Sequence, residues 1–264
     1  MNQFLDKPLT FDFQNYNKIL ILGLGGGCDI ISAYSAQFLF DFLEDTEIIY
    51  GNTKRGFDND LEPITPHICK LPPKQIDLGK RPISSMRNTW IDRSIPRGYG
   101  GCPYIFRCKK RNSEQLTRDI ESLGFDLVIG VDAGGDAIIE GAISGSRGRD
   151  KEMVKILTQT EMPFMILILG PGCDGESNES QILHSFTVQE KNGKYLGFCS
   201  LEPLIPHFEK RASKLGRSRT PNIIKQAFHG ELPLSEDRKM IISRGIYPHI
   251  SKAWLIHGFA FGLY

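Results

Sequence analysis

The six cysteines of this 264-residue chain include no CxxC pair, and no apolar run approaches the roughly 20 residues that a membrane-spanning helix needs. Scattered cysteines argue against both a disulfide framework and a structural zinc site, leaving reduced thiols as the default. The formal net charge is only +1, so the chain lacks the basic excess that tracks nucleic-acid phosphates, and no nucleic-acid partner is expected. Its first residues, MNQFLDKPLTFDFQ, lack the basic and then apolar regions of a secretory signal, which places synthesis in the cytosol. With 40% hydrophobic and 24% charged residues, disorder is not expected either.

Several catalytic signatures are also missing. There is no GxxxxGK[ST] phosphate loop, no GxSxG turn, and no HxH or HExxH pair. P-loop ATP hydrolysis and a Ser–His triad therefore have no support. The six histidines, His67, His184, His207, His229, His249 and His257, read as surface or satisfied core residues.

What is present is a set of short, nearly continuous apolar runs: KILILGL (18–24), EIIY (47–50), DLVIGV (126–131) and PFMILILG (163–170). Such runs suit strands buried on both faces of a parallel sheet. Ile30 to Glu44 reads as a helix with an apolar stripe of Ile31, Tyr34, Phe38 and Phe42, followed at once by the second strand. Helices are also expected over 113–123, with Ser113 as N-cap, over 149–161, and around 221–228. The closing WLIHGFAFGLY reads as a strand that covers a sheet edge. Alternating strands and helices predict an α/β fold, a three-layer, mostly parallel, Rossmann-like sheet. We expect one domain over 1–264, with an inserted loop or subdomain at about 53–111, where prolines, glycines and basic residues crowd together. In that insertion Trp90, Tyr99 and Tyr104 beside Arg87, Arg93 and Arg97 could stack on a base or pair with phosphate.

Three of the runs end in glycines and then an acid: GLGGGCD (23–29), VDAGGD (131–136) and GPGCDGE (170–176). The C-terminal ends of parallel strands share one edge, so the three turns can converge where such folds bind ligands. Glycines allow close backbone approach, and N–H groups at a helix start hold phosphate, so a nucleotide-like ligand fits. The first turn is not a dinucleotide fingerprint, because Cys28 occupies the third glycine position of GxGxxG. Aspartates beside a phosphate cradle can hold ribose hydroxyls, activate water, or ligate a hard cation such as magnesium. These uses favour hydrolysis or group transfer, and an oxocarbenium-like ribose transition state makes glycosidic cleavage attractive. Asp29, Asp132 and Asp136 are the catalytic candidates. Asp29 and Asp136 stand near expected helix starts, where a carboxylate could simply cap. Asp174 and Glu176 could equally be solvated loop acids. No metal is required by this pattern, and a non-catalytic nucleotide-binding module or a magnesium-dependent phosphohydrolase would use the same residues.

The three motifs, in this order, resemble a bacterial and archaeal domain-of-unknown-function family marked by GLGGG-D, VD-GGD and GPG-DGE. ISRGIYPHISKAWLIHGFAF (242–261) is similar to that family's closing segment. Cys28 departs from the family pattern, as does AIIEGAISGSRGRD (137–150) after the second motif. Within the family the likeness is to atypical ADP-ribosylarginine hydrolases, used by intracellular bacteria as effectors that reverse ADP-ribosylation of host proteins. The resemblance implies ADP-ribose as ligand, with Gly25, Gly26 and Gly27 at the diphosphate, and Cys28 counts with them among the ligand-binding residues. It further implies Asp29 with Asp132 or Asp136 at the distal ribose and Gly172 and Asp174 along the rim, with Gly134 and Gly135 as further ligand-binding residues. It also implies synthesis in a bacterial cytoplasm, delivery into a host cell by a non-classical route, and a modified host protein, such as a mitochondrial nucleotide carrier, as partner.

Overall fold

The computed structural model describes residues 1–56, 61–71, 103–142, 148–213 and 215–262. Its strands are β1 (Lys18–Gly23), β2 (Glu47–Lys54), β3 (Glu62–Pro63), β4 (Ile68–Lys70), β5 (Tyr104–Arg107), β6 (Leu127–Ala133), β7 (Phe164–Leu169), β8 (Tyr195–Ser200), β9 (Met240–Ile241), β10 (His249–Ile250) and β11 (His257–Gly262). The helices are α1 (Asp29–Ala36), α2 (Ser113–Glu121), α3 (Arg149–Leu157), α4 (Glu179–Lys191), α5 (Ile205–Ala212), α6 (Thr220–His229) and a short α7 (Lys252–Leu255). None of these helices is long and apolar enough to cross a membrane.

Nine strands form one sheet in the order β3-β4-β5-β2-β1-β6-β7-β11-β8, while β9 and β10 make a separate hairpin. The five central strands, β5 to β7, pair in parallel, and the outer pairings are antiparallel. Every residue of β6 and β7 is buried, as their apolar runs demand, and in β6 this includes Asp132. The expected Rossmann-like three-layer α/β class is what forms. Crossovers between parallel strands are right-handed as a rule, so a change in stepping direction changes the face a helix covers. From β1 the chain steps through α1 to β2 on one side, whereas β5 to β6 and β6 to β7 step the other way. The reversal puts α1 on one face and α2 with α3 on the other; α1 packs across β1 and β6, and α2 packs on α3. It also opens a crevice between the C-terminal ends of β1 and β6.

Several local expectations are corrected. The first helix stops at Ala36 instead of reaching Glu44, passing through a 3-10 turn at Gln37–Leu39 into extended chain. Phe38 is accordingly exposed, stacked on His207 at 3.5 Å between ring centroids. Asn112 takes the N-cap position of α2, with Ser113 as its first helical residue. The last strand, β11, does not cover an edge but lies between β7 and β8. Phe259 and Phe261, two residues apart and so on one face, meet Phe186 of α4 at 5.2 and 4.8 Å, and Trp254 joins the cluster. Burying each such ring contributes about 2–3 kcal/mol, which an edge position would forfeit in part. Within 53–111 the described residues complete β2 and supply β3, β4 and β5 to one end of the sheet. Trp90, Tyr99, Arg87, Arg93 and Arg97 lie outside the described residues, whereas Tyr104 opens β5.

Candidate functional site

Strand register aligns the three turns. Gly23 pairs with Asn52 on one side and Val131 on the other, and Asp132 pairs with Ile168, so the first, second and third turns leave neighbouring strand ends. Between them lies a polar cavity of about 270 Å³. Gly25, Gly26, Gly27, Cys28 and Asp29 line it from the first turn, Asp132 and Asp136 from the second, and Asp174 and Glu176 from the third.

The acids are held in place by the backbone. Asp29 sits in the first helical turn of α1 and accepts from the Gly25 amide at 2.8 Å, so it folds its own loop instead of capping the helix. Asp132, only 2% exposed, accepts from the Ala137 amide at 2.9 Å. Among the described residues neither carboxylate receives another donor, which leaves one oxygen of each for a ligand. Asp136 does not cap a helix either, because the chain there makes a tight turn, with the Ile138 and Ile139 amides donating to the Gly135 carbonyl. Asp174 accepts from the Glu176 amide at 3.0 Å.

The first two glycine-rich turns owe their glycines to these acids. A Cβ on Gly25 would strike the carboxylates of Asp150 and Asp29. Gly134 has φ +121°, and a Cβ there would collide with the Asp174 carboxylate, so only glycine fits. Gly134, Gly135 and Gly172 do not themselves line the cavity: Gly135 packs on Ile139 and Ile168, and Gly172 on Ile250 and Ile182.

Crowded carboxylates resist ionisation. Burial, then the neighbouring Asp150, pushes the Asp29 carboxyl well above its ordinary range. Burial also raises Asp132, with Asp136, Asp150 and Asp29 adding repulsion. Burial lifts Asp174 to about 7. The Cys28 thiol, likewise buried, is pushed up to about 12, so it is protonated at neutral pH and is no thiolate nucleophile. Cys28, Cys69, Cys108, Cys173 and Cys199 are all free thiols.

Sequence spacing missed the other half of the site. Arg149 and Asp150 come from the start of α3, Arg219 and Thr220 from the start of α6, and Arg244 from the turn between β9 and β10. The hairpin is seated on the third turn: the Gly175 carbonyl accepts from the Ile246 and Tyr247 amides at 3.0 and 3.1 Å, and Arg244 lies 3.7 Å from Glu176. Arg149 reaches across to Gly26, where an added Cβ would stand 3.0 Å from its guanidinium. A start-of-helix position for Arg149 was legible in the sequence; its place beside Gly26 was not. No histidine lines the cavity. His67 is bonded to Asp119, His229 to Glu209 and His257 to the Ala253 carbonyl.

The cavity thus joins carboxylates with three arginines and glycine turns at a switch point. Asp136, Asp174 and Glu176 each offer an oxygen within 4.8 Å of the others, a spacing that suits a divalent cation.

A parallel α/β sheet with its polar cavity at the strand-order reversal defines the doubly wound, Rossmann-like class. Within that class, residues 104–240, just over half of the chain, match the family described as protein of unknown function DUF1152, and the chain belongs to it. The matched stretch contains the second and third turns, and the first lies ahead of it. No curated protein and no solved structure matches the chain.

Proposed function

We propose that this protein hydrolyses the N-glycosidic bond between ADP-ribose and an arginine side chain, releasing ADP-ribose and unmodified arginine. One observation carries the proposal: a single cavity presents buried carboxylates and three arginines together. An ADP-ribosylated arginine carries both complementary charges, a cationic guanidinium and an anionic diphosphate. Carboxylates favour the former and any positive charge that develops on the ribose, while Arg149, Arg219, Arg244 and the glycine amides favour the latter.

In the reaction, a water oxygen bonds to the anomeric carbon of the distal ribose as the carbon–nitrogen bond breaks. The bonding pair leaves with the guanidine. A carboxylate takes the water proton, and the departing guanidine gains one. Asp29, Asp132 and Asp136 divide these tasks between holding ribose hydroxyls and accepting that proton. Asp136, Asp174 and Glu176 would hold magnesium if it takes part, supplying positive charge to ligand oxygens.

The test is incubation with ADP-ribosylated arginine or with an ADP-ribosylated protein, a nucleotide carrier among them, followed by chromatography of the products. Release of free ADP-ribose is expected. No release, together with no binding of ADP-ribose at millimolar concentration, would sink the proposal. The same three acids favour a second reading, a magnesium-dependent phosphohydrolase. Inorganic phosphate in place of ADP-ribose, with strict magnesium dependence, would select it.

A further inference from the structure

A second cavity, of about 400 Å³, adjoins the first at the ends of β2 and β5. Arg55, Lys109, Lys110 and Arg149 line it, with Glu152 and Cys108. Among the described residues, four cations against one acid make it a basic cavity, unlike the mixed one beside it.

Its walls are fixed by the sheet. Lys54 and Arg107 are partners in the parallel pairing of β2 with β5, so Arg55 and Cys108 leave the two strand ends side by side. The Cys108 amide donates to the Lys54 carbonyl at 2.9 Å, carrying the pairing one residue further. The next turn is locked from both directions. The Lys109 amide donates to the Asn112 side-chain oxygen at 3.0 Å, and the Asn112 side-chain nitrogen donates to the Arg107 carbonyl at 2.9 Å. Lys109 and Lys110 are therefore presented by a rigid turn, not by a loose loop. The Cys108 thiol lies 3.8 Å from the Arg149 carbonyl and ties the start of α3 to the same wall. First-turn amides of a helix have no partner within it, and α3 begins at this cavity. Arg149 belongs to both cavities, with its Nε buried and without a hydrogen-bond partner among the described residues.

We propose that this basic cavity is a phosphate subsite for the nucleotide half of the ligand, so that the substrate class is a nucleoside diphosphate lying across the sheet ends. Its direction rests on the hydrolase proposal above: the ribosyl bond sits among the acids, the diphosphate runs past Arg149 to Lys109, Lys110 and Arg55, and the nucleoside projects beyond them. Lys109 is half-buried and Lys110 exposed, so both can be shortened without opening the core.

The experiment measures ADP and ADP-ribose binding by calorimetry to the full chain and to its Lys109→Ala/Lys110→Ala variant, with circular dichroism and thermal melting to verify folding. Loss of two charge-assisted contacts is expected to weaken both ligands about tenfold or more, and to flatten the salt dependence of binding. In turnover the defect should appear in KM more than in kcat. Affinity unchanged within about twofold in a folded variant overturns the subsite. A variant that does not fold is replaced by Lys109→Gln and Lys110→Gln singly, read against the same threshold. The two proposals fail separately. If ADP binds and the variant weakens it but no ribosyl bond is cleaved, the subsite stands and the hydrolase falls. If cleavage proceeds with KM unchanged in the variant, the subsite alone falls.

Discussion

Asp132 is held where a carboxylate is least comfortable, with Asp29, Asp136 and Asp150 close enough to raise it further. A residue placed against its own stability suits a functional role. Asparagine has the same shape and keeps an oxygen for the Ala137 amide. Asp132→Asn should therefore lower ADP-ribose release by about 10²–10⁴-fold while raising the melting temperature at neutral pH. Product chromatography and a thermal melt on one preparation read both effects. A lower melting temperature would mean that the acid is structural. The position of this residue was legible in the sequence, because an acid at the end of a buried strand has few innocent explanations. Its company was not: Asp150 is close to Asp29 only because α3 folds back over the first turn.

At the scale of elements, the β3–β4 hairpin is pinned to α2 through a buried network. Asp119 of α2 accepts from Thr65 at 2.8 Å, from Gln115 at 2.9 Å, and from the His67 ring and amide at 3.0 and 3.2 Å. Burial alone would raise this carboxyl, but the bonds from Gln115, Thr65 and His67 outweigh it and hold it below its usual range. Asp119→Ala strands those donors and should cost about 2–3 kcal/mol, measured as a shift of the denaturation midpoint. Amide exchange over residues 61–71 should rise most. Uniform acceleration throughout the chain would contradict a local pin. The same carboxyl contributes stability above an unfolded value of about 3.9, lost as pH falls through its lowered folded value. Sequence showed Asp119 only as one acid of a helix, since Thr65 and His67 come from a turn some fifty residues earlier and only Gln115 lies on the helix itself.

For the whole molecule, the site acids set the opposite slope. Asp174 titrates at about 7 in the folded chain against about 3.9 unfolded, so folding takes up a proton between those values. Stability from this group is present below about pH 4 and is lost as pH rises through about 7. Asp174→Asn should melt higher than the parent at pH 8, and the two should converge near pH 4 to 5. A constant difference across that range would show that Asp174 is ionised throughout.

The sequence by itself determined the sheet's central strands and the three turns at their ends, because continuous apolar runs must be buried and glycines followed by aspartate have few other places to go. It also bounded the chemistry, through the missing phosphate loop and the incomplete dinucleotide fingerprint. Only the tertiary structure decided that β11 enters the sheet between β7 and β8, since aromatic packing against Phe186 chooses among strand positions that hydropathy leaves equal. It alone brought Arg149, Arg219 and Arg244 to the acids. Those arginines come from two helix starts and a hairpin with no common spacing, and their charge gains meaning only from what the fold places opposite.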